Sequence, residues 1–189
     1  MGKEIEARYL DVNPNKIKNL LEKNNFKCVV PKFLMKRKTF GFYDIPKAGQ
    51  KWGRVRQEYD KITMTIKKVT GATIHDVHEW EVIVNDFDKA SEFLVASGAY
   101  EKSYQENIRE VWKDTSELVE ISFDTWPRLN TFVEIEAATE ELVKSTSKKL
   151  GLDIQQAIYG GVDIAYEKCF GIDREKINAM KFITFDRFE

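Results

Sequence analysis

Between Glu4 and Glu136 the chain keeps returning to one pattern: charged or hydroxyl side chains separated by single apolar ones. Glu4, Glu6 and Arg8 alternate with Ile5, Ala7 and Tyr9. Arg54 and Arg56 flank Val55. Thr63, Thr65 and Lys67 alternate with Ile62, Met64 and Ile66. Glu79 and Glu81 flank Trp80. Glu120, Ser122 and Asp124 alternate with Val119, Ile121 and Phe123, and Glu134 and Glu136 flank Ile135. Strand side chains point to opposite faces in turn, so a period of two means extended strands with one polar and one apolar face. Such a chain is driven towards an antiparallel sheet that is apolar on one side and wet on the other.

Helical stretches punctuate these strands. Asn13-Pro14 reads as an N-cap with proline in the first turn, followed by Ile17, Leu20 and Leu21 and stopped at Asn24-Asn25. Asp86 caps a second helix that Gly98 ends, and Thr139 begins a third that Gly151 ends. A fourth, less regular helix is expected over 161–170, and Lys181–Phe188 alternates as a strand. The other strands are expected at 3–10, 33–43, 52–59, 62–69, 77–84, 104–113, 118–124 and 131–137, with a turn at Pro46–Gly49. Glu4-Ile5-Glu6, a capped helix and a basic strand are echoed by Glu79-Trp80-Glu81, a capped helix and the strand carrying Arg109. A strand–helix–strand unit used twice predicts an α+β fold built on a pseudo-twofold antiparallel barrel.

Any sheet with a wet face alternates in this way. A wet face does not explain how the charges are sorted: acids pair at both ends of the region and bases pair in the middle, where a solubilising surface mixes them. Sorted acids and bases facing a common centre would suit a multivalent anion together with a hard metal. Mg²⁺ takes one or two carboxylates plus phosphate oxygens. Arg clamps phosphoryl oxygens bidentately, and phosphoryl transfer needs mainly positioning and charge neutralisation.

Composition narrows the alternatives. The net charge of −1, from 30 basic and 31 acidic residues, argues against a surface built to coat nucleic acid or an anionic membrane. No apolar run approaches the roughly 20 residues of a membrane span, and MGKEIEARYL lacks the apolar stretch of a signal peptide. Cys28 and Cys169 have neither metal-ligand nor disulfide spacing, so a reducing cytoplasm and a place in the core are expected for them. His75 and His78 read as loop or strand-end residues, and Lys36-Arg37-Lys38 as a solvated strand edge. Walker A, G-x-G-x-x-G, H-E-x-x-H and G-x-S-x-G signatures are absent.

Taken in order, the motifs resemble those of the CYTH superfamily, which unites class IV adenylyl cyclases with thiamine triphosphatases and inorganic tripolyphosphatases. Glu4-Ile5-Glu6-Ala7-Arg8 resembles its E-x-E-x-K strand, Phe42-Tyr43-Asp44 its Y-F-D element, Arg54-Val55-Arg56 its R-x-R strand and Thr65-Ile66-Lys67 its T-x-K strand. Glu79-Trp80-Glu81, Arg109 with Trp112, Val119–Asp124 and Phe132–Glu136 are similar to the strands that follow. The match runs over about 3–151 of a single domain covering 1–189, leaving a C-terminal helix and strand-like tail at 152–189. The resemblance implies an eight-stranded antiparallel β-barrel forming a triphosphate tunnel, with flanking helices. It implies Mg²⁺ or Mn²⁺ on Glu4, Glu6, Glu134 and Glu136, and phosphates on Arg8, Arg54, Arg56, Lys67 and Arg109. Glu81 and Asp124 would be further acids on the metal side, and Arg8, Lys67, Glu81 and Asp124 the catalytic set. Two positions depart from the pattern. Arg8 stands where the family carries lysine and cannot act as a base, and Asn107 stands where many members carry a basic residue.

The implied activity is metal-dependent hydrolysis of a triphosphate: tripolyphosphate, thiamine triphosphate or a nucleoside triphosphate. The alternatives are class IV adenylyl cyclase and a non-catalytic nucleotide or polyphosphate binder, against which the intact acidic pairs argue. RNA 5′-triphosphatase activity is disfavoured by the lack of a basic exterior. The expected partner is a small-molecule triphosphate, with neither membrane nor nucleic acid; the sequence allows a homodimer.

Overall fold

The period-two segments are strands. The computed structural model describes residues 5–43, 51–69, 77–116 and 118–189. The expectations placed on Glu4, Asp44, Pro46–Gly49 and His75 therefore lie outside the described residues. In chain order the elements are β1 (Ile5–Tyr9), α1 (Pro14–Lys23), β2 (Lys27–Phe42), β3 (Lys51–Gln57), β4 (Ile62–Val69), β5 (Val77–Val84), α2 (Phe87–Ala96) and β6 (Ala99–Lys113). They continue with β7 (Val119–Thr125), β8 (Phe132–Ala137), α3 (Glu140–Lys149), a 3-10 turn at Ile154–Gln156, α4 (Val162–Phe170), α5 (Arg174–Ala179) and β9 (Phe182–Ile183).

The strands form one sheet in the order β1-β8-β7-β6-β2-β3-β4-β5, with β9 added to β6 in parallel. The order reads the same from either end once each strand is exchanged for its counterpart four strands on. That matches the repeat seen in the sequence, with β1–α1–β2 and β5–α2–β6 as the two copies. The fold is α+β and antiparallel as expected, but the sheet does not close into a barrel among the described residues. The outer edge of β1 is already engaged. The Arg8 amide donates to the Ile158 carbonyl at 3.0 Å and the Ile158 amide to the Arg8 carbonyl at 2.9 Å, so the C-terminal segment takes backbone groups that a closing strand would need.

The chain divides into two compact units, 1–33 with 107–178 and 34–106 with 179–189, and strands β2 and β6 run through both. In the first unit α1 and α3 cover the apolar side of the sheet. Ile17, Leu21, Val143 and Leu150 pack on Ala7, Tyr9, Ile121, Phe123, Val133 and Ile135, all but closed to solvent. Two polar contacts cross this core: Tyr9 Oη donates to Ser147 Oγ at 2.6 Å, and Lys18 pairs with Glu110 at 2.6 Å. In the second unit α2 lays Ala90 and Leu94 against Phe40, Val55 and Ala99.

The helix signals in the sequence mark real boundaries. Asn13 Oδ1 accepts from the Lys16 amide at 3.1 Å, and Thr139 Oγ1 from the Leu142 amide at 3.3 Å. Asp86 accepts from the Asp88 and Lys89 amides at 3.0 and 2.9 Å. Asp86→Ala is expected to lower stability by about 1 kcal/mol, and Asp86→Asn to keep most of it; urea unfolding of the two variants checks this.

Three readings need correction beside barrel closure. β2 begins at Lys27 and β6 at Ala99, earlier than their alternation begins. Helix α5 was not expected, although Asp173 caps it, accepting from the Glu175 and Lys176 amides at 2.7 and 3.4 Å. Cys28 and Cys169 are both exposed, because each lies on the outward side of its element.

Candidate active site

Residues opposed across an antiparallel pair share a face, so register assembles the polar faces. In the first unit Arg8 opposes Glu134, which opposes Ser122; Glu6 opposes Glu136, which opposes Glu120; Arg109 opposes Asp124. These polar residues lie on the side of the sheet away from α1 and α3.

Asp124 is fully buried. Arg109 grips it bidentately, Nε to Oδ1 at 2.9 Å and Nη2 to Oδ2 at 2.6 Å, and Asn107 Nδ2 donates to Oδ1 at 2.6 Å. Arg109 Nη2 also reaches Glu134 Oε2 at 2.9 Å, and Ser122 Oγ lies 3.2 Å from Asp124 and 3.3 Å from Glu134. On the other side of Glu134, Oε1 accepts from Arg8 Nε at 2.7 Å and from Arg8 Nη2. Arg8 Nη2 also donates to Glu6 Oε1 at 2.8 Å. Burial, then the Asp124 carboxylate, pushes the Glu134 carboxyl up to about 7, against the pull of Arg109 and Arg8. The Arg109 guanidinium is held charged by Asp124 and Glu134 despite its burial.

In the second unit Arg37, Arg56 and Thr63 are aligned across β2, β3 and β4. Thr39, Arg54, Thr65 and Glu81 form the next row, and Gly41, Trp52, Lys67 and Glu79 the one after. The side chains differ in how they are satisfied. Arg56 pairs with Glu58 at 2.7 Å and Lys67 with Glu79 at 3.0 Å, while Thr65 Oγ1 donates to Glu81 at 2.8 Å. Among the described residues Arg54 has no ion pair of this kind. Its Nε is buried without a hydrogen-bond partner, and its guanidinium lies 5.9 Å from the centre of the Trp52 ring. Burial, then the neighbouring Arg56, pulls its proton affinity down to about 10, although Glu79, Glu81 and Glu58 oppose this. It is still a cation at neutral pH, and it forms no ion pair at contact distance among the described residues.

The expected site residues thus fall on two polar faces: Glu6, Arg8, Arg109, Asp124, Glu134 and Glu136 on one, Arg54, Arg56, Lys67 and Glu81 on the other. Glu58, Asn107 and Ser122 join them without having been singled out as site residues. Glu58 was in reach, because Arg54-x-Arg56-x-Glu58 puts all three on one strand face. Ser122 was visible by alternation, but its two carboxylate neighbours follow only from register. His78 is exposed and stacks on Trp80 at 5.9 Å, away from both faces.

As for a metal, no group of three or more His, Cys, Asp or Glu among the described residues is arranged to hold an ion. Glu134, expected as a ligand, has both oxygens engaged by Arg8, Arg109 and Ser122, and both Asp124 oxygens are engaged as well. Glu6, with a side chain 39% exposed and one oxygen held by Arg8, lies opposite Glu136 at the more open end of this face. One or two hard carboxylates suit Mg²⁺, which completes its shell with water and phosphate.

No family model and no curated protein matches the chain. Solved structures do. A candidate adenylate cyclase from Vibrio parahaemolyticus superposes with a TM-score of 0.70 at 12% identity, over 91% of this chain and 100% of that one. The PH1819 protein of Pyrococcus horikoshii OT3 follows at TM-score 0.64 and 19% identity, over 88% of this chain and 99% of that one. HpAC1 from Hippeastrum, a candidate adenylyl cyclase with a dominant triphosphatase activity, gives TM-score 0.56 and 15% identity over 89% of this chain and 95% of that one. At such identities the likeness is one of fold. The chain therefore shares the fold of these candidate adenylate and adenylyl cyclases.

Proposed function

We propose that the chain is a metal-dependent triphosphatase acting on an organic or inorganic triphosphate. The observation that carries this reading is Arg54. A half-buried guanidinium whose Nε is buried without an acceptor, in a row with Thr65 and beside Arg56 and Lys67, is placed to take the oxygens of a bound polyanion. Arg54, Arg56 and Lys67 would hold phosphoryl oxygens as they shed the Glu58 and Glu79 pairings. Glu6 and Glu136, with Glu4 of the same motif, would hold Mg²⁺ or Mn²⁺, which when bound neutralises phosphate charge and polarises the attacking oxygen. Asp124 and Glu134 keep Arg109 and Arg8 in place, and Glu81 orients the Thr65 hydroxyl.

Hydrolysis is favoured over cyclisation by the surroundings of position 8. A cyclase needs a ribose hydroxyl deprotonated, and Arg8 can accept no proton; water polarised by a metal asks less of the protein. The neighbour from Hippeastrum, in which triphosphatase activity dominates, supports the same choice. We place the protein in the cytoplasm on its two unpaired cysteines; no helix among the described residues is long and apolar enough to cross a membrane.

The test is incubation of tripolyphosphate, thiamine triphosphate, ATP and GTP with Mg²⁺ or Mn²⁺, resolving phosphate, pyrophosphate and cyclic nucleotide. Phosphate release from at least one substrate is expected, lost in Glu6→Gln. Cyclic nucleotide as the main product would replace this reading with the cyclase one. The pH profile adds a second check. Only the Glu134 anion draws Arg8 and Arg109 together, so kcat/KM should fall as pH drops through about 7, by up to about tenfold per pH unit for one essential ionisation. A profile flat from about pH 5.5 to 8.5 would contradict that role.

A further inference from the structure

Arg8 stands between two partners of different kinds. On one side β1 pairs with β8, and on the other its backbone bridges to Ile158. The guanidinium spans the same gap. Nε donates to Glu134 and Nη2 to Glu134 and Glu6, while Nη1 donates to the carbonyls of Gly160 and Gly161, each at 2.9 Å. An arginine has five N–H donors, one on Nε and two on each terminal nitrogen, and all are used. The side chain is nearly closed to solvent, and its guanidinium lies 5.2 Å from the centre of the Phe132 ring.

The far end of this clasp is built for its task. Gly160 has φ +103, which side-chain-bearing residues rarely adopt, and a Cβ there would come within 2.9 Å of Ile164 Cδ1. A Cβ on Gly161 would lie 2.4 Å from Asp163 Oδ1. Two adjacent glycines let successive carbonyls converge on one nitrogen immediately before α4. Helix α4 is itself fixed by the buried Tyr166, whose hydroxyl donates to the Pro127 carbonyl at 2.8 Å.

We propose that Arg8 is a positioning residue and not a phosphate ligand: it fixes the Glu6 and Glu134 carboxylates and clasps residues 158–161 to the free edge of β1. The inference rests on the reading of Glu6 as a metal carboxylate given above. It departs from the expectation that Arg8 binds phosphate, because its donors are already spent inside the protein. The acid face is then set by the C-terminal segment, and loosening that segment releases Glu6.

The informative variant is Arg8→Lys. It keeps the charge and removes the geometry, since three donors on one point cannot reach two carbonyls and two carboxylates at once. In the metal-free variant the Ile158 amide should exchange with solvent at least about tenfold faster. Affinity for tripolyphosphate without metal, read by calorimetry, should change by less than about twofold, and the Mg²⁺ concentration for half-maximal rate should rise about tenfold or more, as for other groups that orient a metal ligand. Unchanged protection of Ile158 would overturn the proposal. So would a tripolyphosphate affinity that falls about tenfold. Should the variant fail to fold, nitrogen NMR of the wild-type arginine side chains decides: the Arg8 Nε–H should exchange slowly and be unmoved by tripolyphosphate, and a shift on binding would refute the clasp. If the wild type binds no tripolyphosphate at all, the functional reading falls, while exchange at Ile158 and at Arg8 Nε decides the clasp independently.

Discussion

Arg54→Met will lower kcat/KM for the best triphosphate by about 10²–10³-fold while leaving the fold as stable as before or more so. The loss corresponds to about 2.7–4 kcal/mol of transition-state stabilisation, the cost of removing one pre-organised donor facing developing charge. The gain has a separate origin. Arg54 Nε is buried with no hydrogen-bond partner and the charge sits beside Arg56, so the free protein carries a partly desolvated cation that Glu79, Glu81 and Glu58 offset without pairing with it. Methionine keeps much of the length and removes the charge, and replacing buried charge by apolar volume is often neutral or stabilising. Opposite signs for activity and stability mark a residue kept for its ligand. Steady-state kinetics with urea unfolding of the same preparation reads both. A variant with wild-type kcat/KM, or one that loses stability along with activity, would show that Arg54 is structural.

Asp124→Ala is expected to cost about 3–5 kcal/mol of stability, the penalty for removing one partner of a buried ion pair. Asp124 is fully buried and its two oxygens accept from Arg109, Asn107 and Ser122. Alanine leaves the Arg109 fork facing a cavity and returns Asn107 an unmet donor, with Glu134 as the nearest remaining anion. Asp124→Asn keeps the shape and should cost less. Thermal unfolding separates the two. A change under about 1 kcal/mol for alanine would mean that water replaces the carboxylate and that the cluster is open.

The faces of the strands were legible because alternation admits one assignment once a side of the sheet is apolar. Lys67 and Glu81 fell on the same face as Arg54 and Arg56 for that reason. The caps Asn13, Asp86 and Thr139 were legible because their side chains act within three residues. Partnership was not. Arg8 and Arg54 look alike in sequence, each in a strand flanked by another charge. In the structure one has every donor engaged and the other has a buried Nε with none. The difference lies in Glu134, which is 126 positions from Arg8, and in two glycine carbonyls whose direction no local pattern encodes. Barrel closure failed on the same point, since the bridge from Ile158 to Arg8 is a contact between distant segments. The two cysteines are exposed despite their apolar character, because β2 begins with outward residues and burial depends on where an element sits.

If the Arg54 face is a polyanion site, calorimetric titration of the metal-free wild type with tripolyphosphate will reveal it without any turnover. Saturable binding at a single site is expected, weakening as salt is raised because several charges are engaged, and lost in Arg54→Met. No saturable heat at low salt, or equal affinity in the wild type and Arg54→Met, would contradict it.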